Sequence, residues 1–599
     1  MPAAPQHYRP ELDGLRAIAV VAVLLFHLDA TWLPGGFAGV DVFFVLSGYL
    51  VTSILLRDHD AGRLQLRTFY QRRIARIFPA FLTMALVTLL AARFCYSSWD
   101  YASAGAAFSA ALLSIANFHL LGQGNYFQLS TDAQPLLHTW SLSVEEQFYL
   151  VFPFLFALLL KTPPRRRLLL TWVVVLLSFA TGLFLTATKP IHAFYLLPSR
   201  AWEMLAGSLP ALHAAPRRPV KTAPSHLPAL GGLAAILASF LFLHEGPHFP
   251  GWHALLPVLG TAAVIRYSQS GPVYRILSTK PFVLTGRLAY SLYLWHWPVC
   301  SFVDYSLLYQ SPTTRLLLKI LLTLLTATAC HHFIEQPARA WLNQPRRRWS
   351  PLLLLGAALG LLAPLGYSIH RRHYLDASNG HQGALVIPTS QPRGTIVLMG
   401  DSQGSMYGQL SRDLATQLGL KLIILSTAGA DPLATRQGRS STLFERNIDT
   451  IRQEKPTIVL LACHWIYKLQ QEPDRLALTI QAIQPHAGKI ILFTQPPLLP
   501  PAATRSAIRQ GSRPPFFESP ADRTLRQRLN QAVKSLASPG VSIIDTDPFF
   551  THPDGSLILQ SPNGQSFFHD PVHLSTHGAN QLKPALLLTL PPPPASSPP

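Results

Sequence analysis

A chain of 599 residues with a formal charge of +20 and 49% hydrophobic residues is too long for one domain, and its charge alone would suit a nucleic-acid binder. The basic residues, however, fall mostly in short loops between apolar runs, where they set membrane topology, so no nucleic-acid partner is expected. Four scattered cysteines, Cys95, Cys300, Cys330 and Cys463, lack metal-ligand spacing, which leaves neither a disulfide framework nor a structural zinc site.

Up to about residue 370 the sequence is a series of Leu/Ala/Val/Phe-rich runs, and beyond it short β-rich runs alternate with polar helical patterns. The expected order is a membrane domain over 1–345, a linking span and linker over 346–392, a soluble domain over 393–590 and a Pro-rich tail over 591–599. The first run is no cleavable leader, because no small-residue cleavage site follows His27 and further spans come at once. Spans are predicted near 12–31, 37–57, 77–94, 145–160, 168–187, 195–213, 227–243, 252–267, 282–303, 314–334 and 351–369, about ten plus one linking span. With the N-terminus in the cytoplasm, these put every basic cluster inside and the soluble domain outside. The apolar stretch 104–121 would reverse that parity if it crossed, so it is predicted to be interfacial or re-entrant and buried against protein.

Several runs carry charges that a plain anchor would not tolerate, since each intramembrane charge costs on the order of a few kcal/mol and faces a polar interior. Arg16 opens the first span, and His27 lies roughly 16 Å further along the helix axis at 1.5 Å per residue. Asp41, Glu145, Glu146, Arg200, Glu203 and His296 are placed with His27 in the outer half, and Arg72, Arg73 and Arg76 at the cytoplasmic mouth. A neutral histidine in an apolar setting serves as a general base toward a hydroxyl, and arginines three residues apart on a helix grip phosphates. The same groups would suit a proton-coupled transporter with a soluble sensing domain, and physics alone does not separate the two.

Five stretches, RPELDGLRAIAVVAVLLFH, GGFAGVDVFFVLSGYLVT, FYQRRIARIFPA, LLHTWSLSVEEQFYLVFP and YSLYLWHWP, follow one another over about residues 8 to 340. In order and spacing they resemble the acyltransferase-3 family of integral membrane acyltransferases. The resemblance implies transfer of an acyl group, commonly acetyl, from cytoplasmic acyl-coenzyme A to a glycan on the other side, with the coenzyme as donor substrate and no bound cofactor or metal. It implies His27 as the catalytic histidine and Arg16, Arg73 and Arg76 near the donor, with Asp13, Asp41, Glu145, Glu146, Arg200, Glu203 and His296 in support.

In the soluble part TIVLMGDSQGSMYGQL reads as strand, tight turn and helix, and KLIILS, TIVLLA, KIILFT and VSIID read as further buried strands. That alternation argues a doubly wound, flavodoxin-like α/β domain with a parallel sheet, and Ser402 sits just past its first strand, where such sheets bind ligands. Near the end, in FFHDPVHLSTHGANQL, Asp570 precedes His573 by three residues, a spacing that lets the carboxylate orient the imidazole while the histidine serves Ser402 as base. His577 competes for that role. The GDS start and the DxxH end resemble an SGNH hydrolase-type domain, and its fusion behind an acyltransferase-3 region is similar to the O-antigen acetylases of Gram-negative bacteria. By that pattern Ser402, Asp570 and His573 form a triad, with the backbone of Ser402 and Gly429 in the oxyanion hole. The motif that normally supplies an oxyanion asparagine departs here, reading CHWIY after TIVLLA.

The expectation is an O-acyltransferase of the bacterial inner membrane, multi-pass, acting on an envelope or lipid-linked glycan such as lipopolysaccharide O-antigen. An envelope carbohydrate esterase with an inert membrane anchor is the other alternative, and it would need Ser402 but not His27.

Overall fold

The computed structural model describes residues 8–96, 98–122, 134–213, 226–307, 310–344, 349–378, 385–390, 392–426, 431–435, 442–470, 472–500, 503 and 515–590. They form two compact units, the first running to Tyr96 and from Asp100 to His370, the second from Arg371 onward together with Ser98 and Trp99.

The first unit is helical: α1 (Pro10–Leu28), α2 (Gly39–Asp60), α3 (Leu66–Cys95), α4 (Ser98–Leu112), α5 (Ala116–Leu121), α6 (Thr139–Leu159), α7 (Pro164–Thr188), α8 (Pro190–Tyr195) and α9 (Leu197–His213). It continues with α10 (Leu227–Phe242), α11 (Leu255–Tyr267), α12 (Gly271–Leu277), α13 (Lys280–Ser306), α14 (Pro312–Cys330), α15 (Gln336–Leu342), α16 (Ser350–Ala357) and α17 (Ala363–Ser378). Among the described residues six helical stretches are long and apolar enough to cross a membrane: Gly36–Asp60, Leu66–Cys95, Thr139–Leu159, Pro164–Thr188, Pro312–Leu342 and Ser350–His370. Six of the eleven expected spans are thus long and apolar enough. Of the others, α9, α10 and α11 are shorter, with 17, 16 and 13 residues, and α1 and α13 carry charged and polar side chains.

Close backbone crossings position those side chains. A Cβ added to Gly48 of α2 would stand 1.7 Å from the Met204 carbonyl oxygen, and one added to Gly207 of α9 would stand 1.9 Å from that of Val45. Only glycine allows this approach. Seven residues upstream on each helix, Asp41 meets Arg200, so α2 and α9 run in the same direction. Likewise α13 lies along α1, with Gly286 against the Asp13 carbonyl and His296 against His27.

The stretch predicted to be re-entrant is broken in two. Helix α4 ends at Leu112, Ser114 takes a left-handed backbone (φ 55°), and α5 runs only from Ala116 to Leu121. The interrupted backbone is satisfied by protein: the Ser114 carbonyl accepts from Gln147 of α6 at 2.8 Å, and the Ala116 N–H donates to Ser143 at 3.2 Å. Asn117 donates to the Tyr195 carbonyl at 3.0 Å. Non-helical backbone at membrane depth requires this kind of pairing.

The second unit is an α/β sandwich on a six-stranded sheet in the order β1-β3-β2-β4-β5-β6. Its strands are β1 (Leu385–Ile387), β2 (Thr395–Gly400), β3 (Lys421–Ser426), β4 (Ile458–Ala462), β5 (Lys489–Phe493) and β6 (Val541–Ile544). Between and after them lie α18 (Ser402–Ser405), α19 (Gly408–Leu418), α20 (Thr442–Glu454), α21 (Trp465–Leu469), α22 (Arg475–Ile483), α23 (Pro520–Lys534), α24 (Asp547–Phe550), α25 (Thr576–Asn580) and α26 (Lys583–Thr589). Alternate residues of β2 feed opposite cores: Ile396 and Leu398 on one face, Val397 and Met399 on the other. All five expected strands form a parallel sheet, but β1 joins it antiparallel to β3. The sheet is thus mixed, and its edge strand starts within the stretch expected to be linker. Three residues, LVI, are too short to give a periodic signal.

Candidate functional site

The first unit holds two polar clusters. Around His27, the ring Nδ1 lies 3.0 Å from Nε2 of His296, whose own Nδ1 lies 2.7 Å from the Tyr293 carbonyl oxygen. A carbonyl only accepts, so His296 carries its proton on Nδ1, and its Nε2 in the neutral ring is an acceptor. His27 must then donate from Nδ1, which leaves its Nε2 lone pair free to take a proton. Trp297 stands edge-on to His27 at 4.7 Å, its indole N–H bonded to the Gln134 carbonyl at 2.8 Å. His138 completes the group, its ring 5.5 Å from that of His296.

His27, His138 and Tyr293 line a cavity together with Asp41 and Arg200. Arg200 approaches Asp41 at 3.3 Å and Glu203 at 3.0 Å, and all three are buried. Four aromatic rings, Phe44, Trp140, Phe194 and Phe249, sit 5.5 to 6.0 Å from its guanidinium carbon. A cation held this way forms a rigid wall, since breaking either partner would strand a buried charge.

The second cluster is basic. Arg16 pairs with Asp13 at 2.8 Å, and Arg73 stacks 3.6 Å above the Tyr149 ring and reaches Glu145 at 3.9 Å. Glu145 also accepts from the hydroxyls of Ser47 and Tyr149. Arg76 lies near enough to Arg16, Arg73 and Arg339 to feel their charges, with Glu335 as a counter-charge, and Glu146 acts on Arg73. Glu335 is itself held by Ser291 at 2.8 Å and His331 at 3.0 Å. The expectation that Glu145 and Glu146 join His27 is therefore corrected: Glu145 belongs to the arginines. Helix α6 starts at Thr139 rather than near 145, which places the two glutamates about two turns deeper than expected. Arg72 is exposed and faces Asp58 at 3.7 Å, outside the cluster. Ser141, one turn before Glu145 on α6, bonds the Tyr293 hydroxyl, so α6 and α13 connect the two clusters.

In the second unit Ser402 opens α18 just past β2, and Asp401 caps that helix, accepting from the Gln403 N–H at 2.9 Å. Asp570 Oδ2 lies 2.7 Å from His573 Nδ1, while its Oδ1 accepts the Val572 and His573 N–H groups at 2.8 Å. Gln403 Nε2 donates to the Val572 carbonyl at 2.8 Å, which ties the helix bearing Ser402 to the loop bearing His573. Among the described residues His573 Nε2 has no partner. Burial pushes the His573 pKa down, but the hydrogen bond that its Nδ1–H donates to Asp570 and the charges of Asp570 and Asp401 outweigh it, and the net direction is up. Asp570 moves the other way: burial raises it, and the His573 bond and charge hold it below the usual carboxylate range. His577 stacks on Phe567 instead, with ring centroids 5.4 Å apart. Gly429 lies outside the described residues.

Sequence reasoning missed His138, Tyr293, Glu335 and His464. His138 stood in a motif whose acidic residues drew the attention, and Tyr293 lies one turn before His296 on the same helix face.

Residues 9–332 match the model of an acyltransferase domain, and residues 371–587 match that of an SGNH domain fused to such acyltransferase domains. The peptidoglycan O-acetyltransferase OatA of Listeria monocytogenes is 32% identical over 394 residues, 60% of this chain and 63% of that protein. The O-acetyltransferase OatA of Staphylococcus aureus (strain NCTC 8325) is 32% identical over 347 residues, 55% of this chain and 57% of that one. The chain thus spans about three-fifths of the length of these relatives.

Proposed function

Because the chain belongs to the acyltransferase-3 family and carries an SGNH domain behind it, we propose that it is a bacterial inner-membrane O-acetyltransferase that moves acetyl from cytoplasmic acetyl-coenzyme A to a hydroxyl of an envelope glycan. Peptidoglycan is the acceptor named for one relative, and lipopolysaccharide O-antigen is the other envelope glycan the reading admits. The observation that carries the reading is the hydrogen-bonded line from the Tyr293 carbonyl through His296 to His27, which leaves the Nε2 lone pair of His27 free beside a cavity that His138 also lines.

The basic cluster suits the donor. Arg16, Arg73 and Arg76 repel one another, Asp13, Glu145 and Glu335 offset part of that repulsion, and the phosphates of coenzyme A would add the paired hydrogen bonds that guanidinium groups favour. From there the pantetheine arm extends along α1 toward His27. The attacking hydroxyl gives its proton to His27 Nε2 as its oxygen bonds the thioester carbon. The tetrahedral oxyanion then collapses, the C–S bond breaks, and the departing sulfur takes the proton from His27. The hydroxyl belongs either to the glycan or to Ser402, which then passes acetyl on. In this reading the N-terminus is cytoplasmic and the SGNH domain periplasmic, and the helices that carry the polar site, α1, α9 and α13, cross together with the shorter α10 and α11 among the six more apolar ones. Apolar side chains on the outside of α7, among them Leu176, Leu177 and Phe184, support that arrangement.

The test is full-length protein in lipid nanodiscs, given acetyl-coenzyme A labelled in the acetyl group and, separately, fragments of peptidoglycan and O-antigen. Hydroxylamine-labile label on one glycan, lost with His27→Ala, is the expected result. Label on neither glycan, or transfer unaffected by His27→Ala, contradicts the proposal.

A further inference from the structure

We propose that His464 donates the oxyanion-hole hydrogen bond at Ser402 that the chain's missing asparagine would otherwise supply; this rests on the reading of Ser402 as an acyl carrier. Strands β2 and β4 pair in parallel with Gly400 opposite Ala462, so Ser402 and His464 each follow two residues later on the same edge of the sheet. Asp401 locks the two strand ends together, its Oδ2 accepting the His464 N–H at 3.0 Å. That bond uses the backbone donor of His464, and only its side chain is left to offer one.

The ring is prepared for this. His464 caps α21: the Tyr467 N–H is shared between the His464 carbonyl at 3.0 Å and its ring Nδ1 at 3.3 Å. A ring nitrogen that accepts holds no proton, so the neutral imidazole carries its hydrogen on Nε2. Burial favours the neutral form over the opposing charge of Asp401, and the ring is close enough to His573 for their charges to interact. The group at this edge is therefore a neutral N–H donor on the same sheet edge as Ser402 and near His573, with Nδ1 engaged in the cap.

In the acylation step Ser402 Oγ bonds the carbonyl carbon of the acetyl donor and its proton passes to His573 Nε2. The carbonyl electron pair moves onto oxygen, where the His464 Nε2–H and the Ser402 backbone N–H meet it. Collapse restores the carbonyl, breaks the bond to the leaving group, and returns the proton to that group.

The experiment uses purified full-length protein with p-nitrophenyl acetate as donor and water as acceptor. Wild type is expected to release a burst of nitrophenolate that Ser402→Ala lacks. A burst retained in Ser402→Ala sinks the acyl-carrier reading itself, whatever His464 does. With Ser402 required, His464→Ala lowers kcat by about 10² to 10³ with little change in KM, the loss seen when one oxyanion donor is removed. His464→Asn, which restores a side-chain N–H, recovers most of that loss. Unchanged kcat in His464→Ala, or His464→Asn no better than His464→Ala, overturns the proposal.

Discussion

A histidine can act as base through whichever ring nitrogen its partners leave free, and in the proposed reaction the two units would achieve this differently. His573 is oriented by a carboxylate, Asp570, at 2.7 Å, whereas His27 is oriented by a second imidazole, His296, at 3.0 Å. The difference predicts distinct behaviours. A carboxylate stabilises the imidazolium as well as the tautomer, so Asp570→Asn should lower kcat for ester turnover by about 10² to 10⁴. The pH profile fixes the sign. His573 must be neutral to take the Ser402 proton, and its pKa is raised, so activity should climb with pH along a limb above the ordinary histidine value. Removing the Asp570 charge lowers that pKa, and the residual activity of Asp570→Asn should show its limb at lower pH. A limb that stays in place would mean that Asp570 does not set the protonation of His573. At His27 the neutral partner serves only to orient: His296→Leu should cut kcat for acetyl transfer by about 10²-fold, and His296→Gln, whose amide oxygen accepts from Nδ1, should recover part of it. Equal losses in the two variants would argue against the tautomer account.

At the level of elements, two glycine contacts decide where the membrane site forms. Gly48 and Gly207 let α2 and α9 touch backbone to backbone, and this sets Asp41 against Arg200 two turns away. Gly207→Val should therefore reduce the amount of folded protein in the membrane, while Ala211→Val, one turn on, should cost less; equal yields would show that the crossing is not constrained as described. The shared direction of α2 and α9 also bears on topology, because it requires an odd number of crossings between them. Helices α3, α6 and α7 provide three, and a crossing by α4 and α5 would break the parity. Cysteines placed at Thr162 and at Arg217 should label from the same side of the membrane, and labelling from opposite sides would contradict the order of spans. Much of this was legible in the sequence, because charges inside apolar runs announce themselves: Arg16, His27, Asp41, Arg200, Glu203 and His296 all form part of one of the two clusters. Depth was not. Glu145 was misplaced because α6 begins before its apolar run does, in residues whose polarity resembles a loop. His464 was passed over for a related reason: in the sequence it marked only the loss of an asparagine, and its value rests on strand register and on a cap bond to Tyr467.

For the whole molecule the question is how two oriented imidazoles, one beside a cavity and one in the unit that carries Ser402, would divide the proposed reaction. Residues 9–332 and 371–587 each match a family of their own, and each unit has an oriented imidazole of its own. If acetyl passes through Ser402, the membrane unit makes an acyl-enzyme and the SGNH unit chooses the sugar. If it does not, the membrane unit acylates the glycan directly and the SGNH unit binds or trims it. The most direct test is the acetate content of envelope glycan in cells lacking the native gene and complemented at matched protein levels with wild type, His27→Ala or Ser402→Ala. The account predicts that wild type restores acetate and that His27→Ala does not, with Ser402→Ala also inactive if the relay operates. Full acetylation by His27→Ala, or none by wild type, would contradict it.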